Sequence, residues 1–142
     1  MIIMAVDLGK ARTGIAICDK LEMLSSPLAQ INEYNSDKLI EKVAELANER
    51  RVELIVVGLP KNMDGSEGES AQNAREFANK LEKMSGIKTD MQDERGTTIT
   101  AHNYLNNTNT RGKKRKSVVD SVAATIILED YINKRKNSDF RL

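Results

Sequence analysis

The chain opens on an apolar run, Met1-Ile2-Ile3-Met4-Ala5-Val6, and then places a carboxylate, Asp7. Its length and β-branched content predict a buried strand over residues 2–6. Residues 8–13 read as a turn and residues 14–18 as a second strand. The short link between them makes an antiparallel hairpin. A third, weaker strand over residues 23–31 is edged or interrupted at Pro27, since proline cannot donate to a sheet ladder.

The period then changes. Ser36 is a good N-cap for a helix to about Arg50, with Leu39, Ile40, Val43, Leu46 and Ala47 on one face. Val52-Glu53-Leu54-Ile55-Val56-Val57 reads as a strand buried on both faces, ended by Gly58 and Pro60. Residues 61–68 form a polar, glycine-bearing loop. A helix over residues 69–85 buries Ala71, Ala74, Phe77, Ala78 and Leu81, and Gly86 is its C-cap. Residues 87–92 give a fifth strand. Thr97 or Thr98 opens a short helix to about Asn106, residues 107–116 form a basic loop, and a last helix covers about 117–134. The order β-β-β-α-β-α-β-α-α predicts an α/β fold. Its mixed five-stranded sheet combines an antiparallel hairpin with parallel strands, flanked by helices. One domain over residues 1–136 is expected, followed by a flexible tail, 137–142.

Composition narrows the class. The 142 residues are 39% hydrophobic and 30% charged, ordinary for a soluble globular domain. No apolar run approaches the ~20 residues of a membrane helix. The N-terminal run lacks a basic flank and stops at Asp7, so a signal peptide is not expected. A single cysteine, Cys18, excludes an internal disulfide and a thiolate-rich zinc site. These points favour the cytoplasm. Cys18 belongs in the core, and the lone His102 reads as a surface residue. The net charge of +1 hides an uneven distribution. Arg111, Lys113, Lys114, Arg115 and Lys116 fall within six positions, and Lys134, Arg135, Lys136 and Arg141 make a second cluster. Local positive charge is where a polyanion docks.

The acidic residues are the stronger signal. Asp7 ends one apolar strand, Asp93 and Glu94 close another, and Asp120 interrupts the apolar stretch of residues 118–128. Burying an unpaired carboxylate costs several kcal/mol in effective terms. Three such placements predict a cation site. In open α/β sheets, ligands bind beyond the carboxyl ends of the strands, which is where Asp7, Gly58, Asp93 and Glu94 fall. Asp120 shares a helical face with Ala123, Ala124 and Ile127, so it should point inward. Oxygen ligands without histidine or thiolate suit Mg²⁺ or Mn²⁺, and such ions commonly act in pairs on phosphodiesters.

The residues resemble a known family. Asp7-Leu8-Gly9-Lys10-Ala11-Arg12-Thr13-Gly14 looks like the opening motif of the YqgF (RuvX) family of Holliday-junction-resolvase-like pre-ribosomal-RNA nucleases. Val57-Gly58-Leu59-Pro60-Lys61-Asn62-Met63-Asp64-Gly65-Ser66 resembles its central loop. Asp93-Glu94-Arg95 with Thr97-Thr98 resembles its third motif, and Asp120 with Ala123-Ala124 its fourth. The resemblance implies an RNase H-like fold and a metal-dependent nuclease, monomeric or homodimeric, that matures small-subunit ribosomal RNA. It implies Asp7, Glu94 and Asp120 as metal-binding catalytic carboxylates, with Asp93 an alternative to Glu94. Related resolvases carry a carboxylate where this chain has Gly58, and the family carries a larger residue at Gly96. The loop containing Pro60, Asn62 and Gly65 reads as a flap over substrate or as a surface connection, the resemblance favours the flap, and Asn62 is expected to orient it.

Arg12 is expected to hold a phosphate, or to pair with Asp19 or Glu94. Arg95 either neutralises the carboxylates or touches substrate. Gly9 and Gly14 serve the tight turn. Aromatics make up only 4% of the chain, so phosphate and shape readout of a structured RNA or branched DNA is expected. The alternatives to an rRNA-processing nuclease are a Holliday-junction DNA resolvase and a non-catalytic RNA-binding ribosome-assembly factor.

Overall fold

A computed structural model gives residues 1–94 and 112–139, with side chains for residues 1–94 and 122–137. The expected short helix over 97–106, together with Arg95, Gly96, His102 and Arg111, lies outside the described residues.

Five strands form one sheet in the order β3-β2-β1-β4-β5. β1 (Ile3–Asp7) pairs antiparallel with β2 (Arg12–Cys18), which pairs antiparallel with the edge strand β3 (Ser25–Asn32). β1 also runs parallel to β4 (Leu54–Leu59), and β4 parallel to β5 (Lys88–Asp93). The mixed α/β sheet is the one the sequence predicts. Pro27 sits on the edge strand next to a register shift at Ile15/Ala16, where a missing N–H costs least.

Strand alternation divides the core. Met4, Val6, Ile15, Ile55 and Val57 face one way and pack under α1 (Ser36–Glu49) and α2 (Glu69–Ser85). Ile3, Ala5, Ala16, Leu54 and Val56 face the other way and pack under α3 (Gly112–Asp139) through Ala124, Ile127, Leu128 and Ile132. Each layer supplies what the other face of a fully buried parallel pair requires. Cys18 lies in the second layer, and Ile3 donates its N–H to Cys18 Sγ at 3.2 Å.

Several boundaries differ from expectation. Asn35, not Ser36, caps α1: its backbone is extended and its Oδ1 accepts the Lys38 N–H at 3.0 Å. Ser36 becomes the first helical residue. β4 continues through Gly58 to Leu59, because parallel pairing to Gln92 and Asp93 runs on past the glycine. α3 begins by Gly112, so Lys113, Lys114, Arg115 and Lys116 stand on a helix and not in a loop. Lysine and arginine are good helix formers, and a run of charge is not a breaker. The same helix continues to Asp139 rather than ending near Lys134. Arg135 pairs with Glu22, and the Lys136 ammonium donates to the Glu22 carbonyl at 3.1 Å, fastening this end to the β2–β3 turn.

Side-chain bonds set the direction of α3. Tyr131 donates its hydroxyl to Asp90 in mid-β5 at 2.7 Å, and burial beside that carboxylate pushes its pKa up to about 12. Ile132 packs with Ile3 and Leu54 at the amino ends of the parallel strands, whereas Ile127 lies over Gly58 toward their carboxyl ends. The helix therefore runs against β1 and β4, and its earlier residues lie toward the carboxyl rim.

Replacing Asn35 by Ala should lower the unfolding free energy by ~1 kcal/mol, while Ser36→Ala should change it by a few tenths at most. Urea denaturation of the two variants separates them; equal losses would return the cap to Ser36.

Candidate active site

Asp7 is the last residue of β1 and pairs in register with Gly14. It has the parity of Ile3 and Ala5, which places it on the α3 face. Gly58 has the parity of Leu54 and Val56 and lies on that face one strand away. Glu94 follows β5, where its N–H donates to the Leu59 carbonyl at 3.2 Å and extends the parallel ladder. These three positions meet at one rim of the sheet.

Their contact is tight. A Cβ built on Gly58 would press against Glu94 Oε2, with Glu94 Cδ at 3.2 Å and Ile127 Cδ1 at 2.8 Å. The glycine leaves the space in which the Glu94 carboxylate rests, and Ile127 roofs it. The Asp7 and Glu94 carboxyl groups are hydrogen-bonded to each other. Desolvation raises the Glu94 pKa above the ordinary carboxylate range; the bond to Asp7 opposes this and the nearby Asp93 charge adds to it. Two acidic groups in such contact repel each other when both are charged, and a proton or a neighbouring positive charge relieves this.

Asp93 falls elsewhere. It pairs in register with Leu59, on the α1/α2 face with Met91, while Glu94 reaches back over Gly58. The one-residue alternation that left Asp93 and Glu94 open in the sequence thus brings Glu94 to Asp7. Among the described residues no three acidic, histidine or cysteine side chains converge closely enough to hold a metal. The described part of the site is a pair. Asp120 lies on α3 seven residues before Ile127, about 10 Å along the axis toward the carboxyl rim.

Arg12 begins β2 and shares the parity of Gly14 and Ala16, so it stands on the Asp7 face just past the strand end. It pairs with neither expected partner; Asp19 instead accepts the Met23 N–H at 2.8 Å. The Asn62 side chain closes its own loop, donating to Ser66 Oγ at 2.9 Å, while the Gly65 N–H bonds the Asn62 carbonyl at 2.8 Å. Gly65 holds φ +90°, a region that favours glycine. Pro60 lies at the mouth of that loop. Gly9 packs against the Arg12 carbonyl so closely that a Cβ would overlap it, which is why the first turn needs a glycine.

The roles of Gly58 and Ile127 are invisible in sequence. Gly58 reads as a missing ligand; the structure gives it as the seat of Glu94.

The family model described as "RuvX: Holliday junction resolvase" matches residues 1–134. The chain belongs to this family. A relative from Halothermothrix orenii is 41% identical over 133 residues, covering 94% of this chain and 95% of its own. One from Clostridium botulinum strain Alaska E43 is 39% identical over 134 residues, covering 94% and 98%. Both carry the name "Putative pre-16S rRNA nuclease". Among solved structures, Thermus thermophilus RuvC bound to a Holliday junction superposes with a TM-score of 0.61 at 11% identity, over 96% of each chain. The fowlpox virus Holliday junction resolvase gives 0.55 at 14% identity, over 94% and 99%. The RNase H-like resolvase fold is therefore shared.

Gly58→Ala should destabilise the protein by ~1–3 kcal/mol through overpacking. Adding Glu94→Ala should restore part of that loss, because the small side chain vacates the crowded space. A double-mutant cycle by chemical denaturation reads the coupling; additive losses would mean Glu94 does not rest on Gly58 in solution.

Proposed function

We propose that this chain is a metal-dependent nuclease that hydrolyses phosphodiester bonds in precursor small-subunit ribosomal RNA. The Asp7–Glu94 carboxyl pair over Gly58 carries the reading. Such a pair is costly unless a cation or proton neutralises it, and its all-oxygen donor set fits Mg²⁺ or Mn²⁺. Asp7 and Glu94 would hold the metal, with Asp120 as the third carboxylate. Two ions are the expected complement, supplying Lewis acidity to the phosphoryl group and activation of the attacking water.

The protein's own groups do the rest. Arg12, on the same face and outside any ion pair among the described residues, would take a phosphate oxygen and fix the strand against the rim. Ile127 keeps bulk water from the inner side of Glu94. The basic start of α3, from Lys113 to Lys116, with Arg95 and Arg111, would supply the wider polyanion contact. The loop of Pro60, Asn62 and Gly65 would cover the bound strand. No helix among the described residues is long and apolar enough to cross a membrane. The reading places the protein where ribosomes are assembled, in the cytoplasm, as a monomer or homodimer.

A Holliday-junction substrate is the second reading, supported by the family description and by the RuvC fold. The relatives' names favour the RNA.

With Mn²⁺ and a precursor 16S rRNA fragment, Asp7→Asn, Glu94→Gln and Asp120→Asn should each reduce cleavage at least ~100-fold, a loss expected when a transition-state charge is left unmatched. Their circular dichroism spectra should match the parent's. Variants that cut as well as the parent would remove the catalytic assignment. A preference for four-way DNA junctions over the RNA would select the second reading. Salt-dependent RNA binding without turnover would leave an RNA-binding assembly factor.

A further inference from the structure

On the opposite face of the same rim lies a cleft of about 380 Å³ that the carboxylates do not use. Its size falls within the range of small-ligand sites. Leu39 from α1 and Ala74 and Phe77 from α2 lie beneath it, almost wholly buried, and its accessible apolar lining is Leu8, Pro60 and Tyr34. Its walls are polar, with Ser70 and Asn73 on α2 and the side chains of Lys10 and Lys80. Neither lysine is engaged in an ion pair among the described residues. Tyr34, 85% exposed, stands at the edge with its ring open to stacking.

The connection to the carboxylates is short. Leu8 and Gly9 line the cleft, and Asp7 precedes them directly. Two residues span at most about 7 Å, on the order of one nucleotide step along an extended strand. Gly9 has no side chain to raise the saddle, and it is held down on the Arg12 carbonyl. A strand crossing there passes from Arg12 and Asp7 on one face to Lys10 on the other.

Charge selects the occupant. Glu33 and Glu76 also line the cleft. Glu33 is held by Lys42 at 2.9 Å, which leaves Lys10 and Lys80 against Glu76. That balance suits the single charge of one phosphodiester unit and disfavours a free polyphosphate. We propose that the cleft seats the nucleotide next to the scissile phosphate, unpaired, with its base against Tyr34, Leu8 and Pro60 and its phosphate between Lys10 and Lys80. This rests on the nuclease reading and adds a requirement to it: the substrate must be single-stranded at that nucleotide. Single-stranded RNA is commonly read through splayed bases stacked on aromatic rings. Aromatic residues are scarce in the chain, yet one well-placed ring and an apolar lining suffice for one base.

The test uses the full chain with Mn²⁺ and a labelled single-stranded precursor RNA. One abasic riboside is walked through the positions on both sides of the cleavage point. Abasic substitution at a single neighbouring position should raise KM roughly tenfold with kcat unchanged, the scale of one base stack. Ser70→Trp, which fills the cleft from an exposed position, and Lys80→Ala should raise KM for intact RNA similarly. Neither should add to the abasic loss. Equal KM for parent and variants, or indifference to the abasic site everywhere, overturns the proposal. So does saturable binding of free adenosine 5′-monophosphate with no abasic effect on the strand. The same RNAs are titrated by fluorescence anisotropy with Asp7→Asn in Ca²⁺. If the parent fails to cut but the abasic and Ser70→Trp effects on Kd persist, the cleft assignment stands and the hydrolytic reading alone falls.

Discussion

Two carboxyl groups touching at the edge of a hydrophobic sheet constrain everything around them. Asp7 and Glu94 come from strands separated by β4, and only a residue without a side chain at position 58 lets Glu94 reach across that strand. Burial raises the Glu94 pKa and the bond to Asp7 opposes that rise, so the site is one where a bound cation would favour the charged form. The sheet is built to hold this contact: β1 and β4 are buried on both faces, so neither strand can shift to relax it.

The third carboxylate depends on a different set of forces. α3 carries Asp120 far in sequence from Asp7, and its direction is decided at its other end. Tyr131 bonds Asp90, Arg135 pairs with Glu22, and Lys136 reaches the Glu22 carbonyl. Glu22 holds φ +56°, an uncommon conformation for a residue with a Cβ. With that end fixed, Ile127 drops onto Gly58, and the helix start is carried toward the carboxyl rim.

The rim has two sides. On the α3 face stand Asp7, Glu94 and Arg12; on the α1/α2 face lies the cleft edged by Tyr34 and flanked by Lys10 and Lys80. The turn of Leu8 and Gly9 is the boundary, one that a nucleic-acid strand could cross in a single step. Hydrolysis and selection of an unpaired nucleotide would then share one edge of the sheet while using opposite layers of the core.

Strand content, helix content and their order were written locally. Continuous apolar runs at 2–6 and 54–57, helical spacing from Leu39 to Ala47, and Gly86 as a left-handed cap at φ +72° need only near neighbours. The motif carboxylates were equally legible, because charge at the end of an apolar run is costly whatever the fold. Chain-local signals could not decide between Asn35 and Ser36 as cap, nor end a helix within a run of lysines that are themselves helix formers. They also could not choose between Asp93 and Glu94, or give Gly58 its purpose. Those answers depend on which face each residue presents to a strand or helix distant in sequence, and pairing register and close approach exist only once the sheet is assembled.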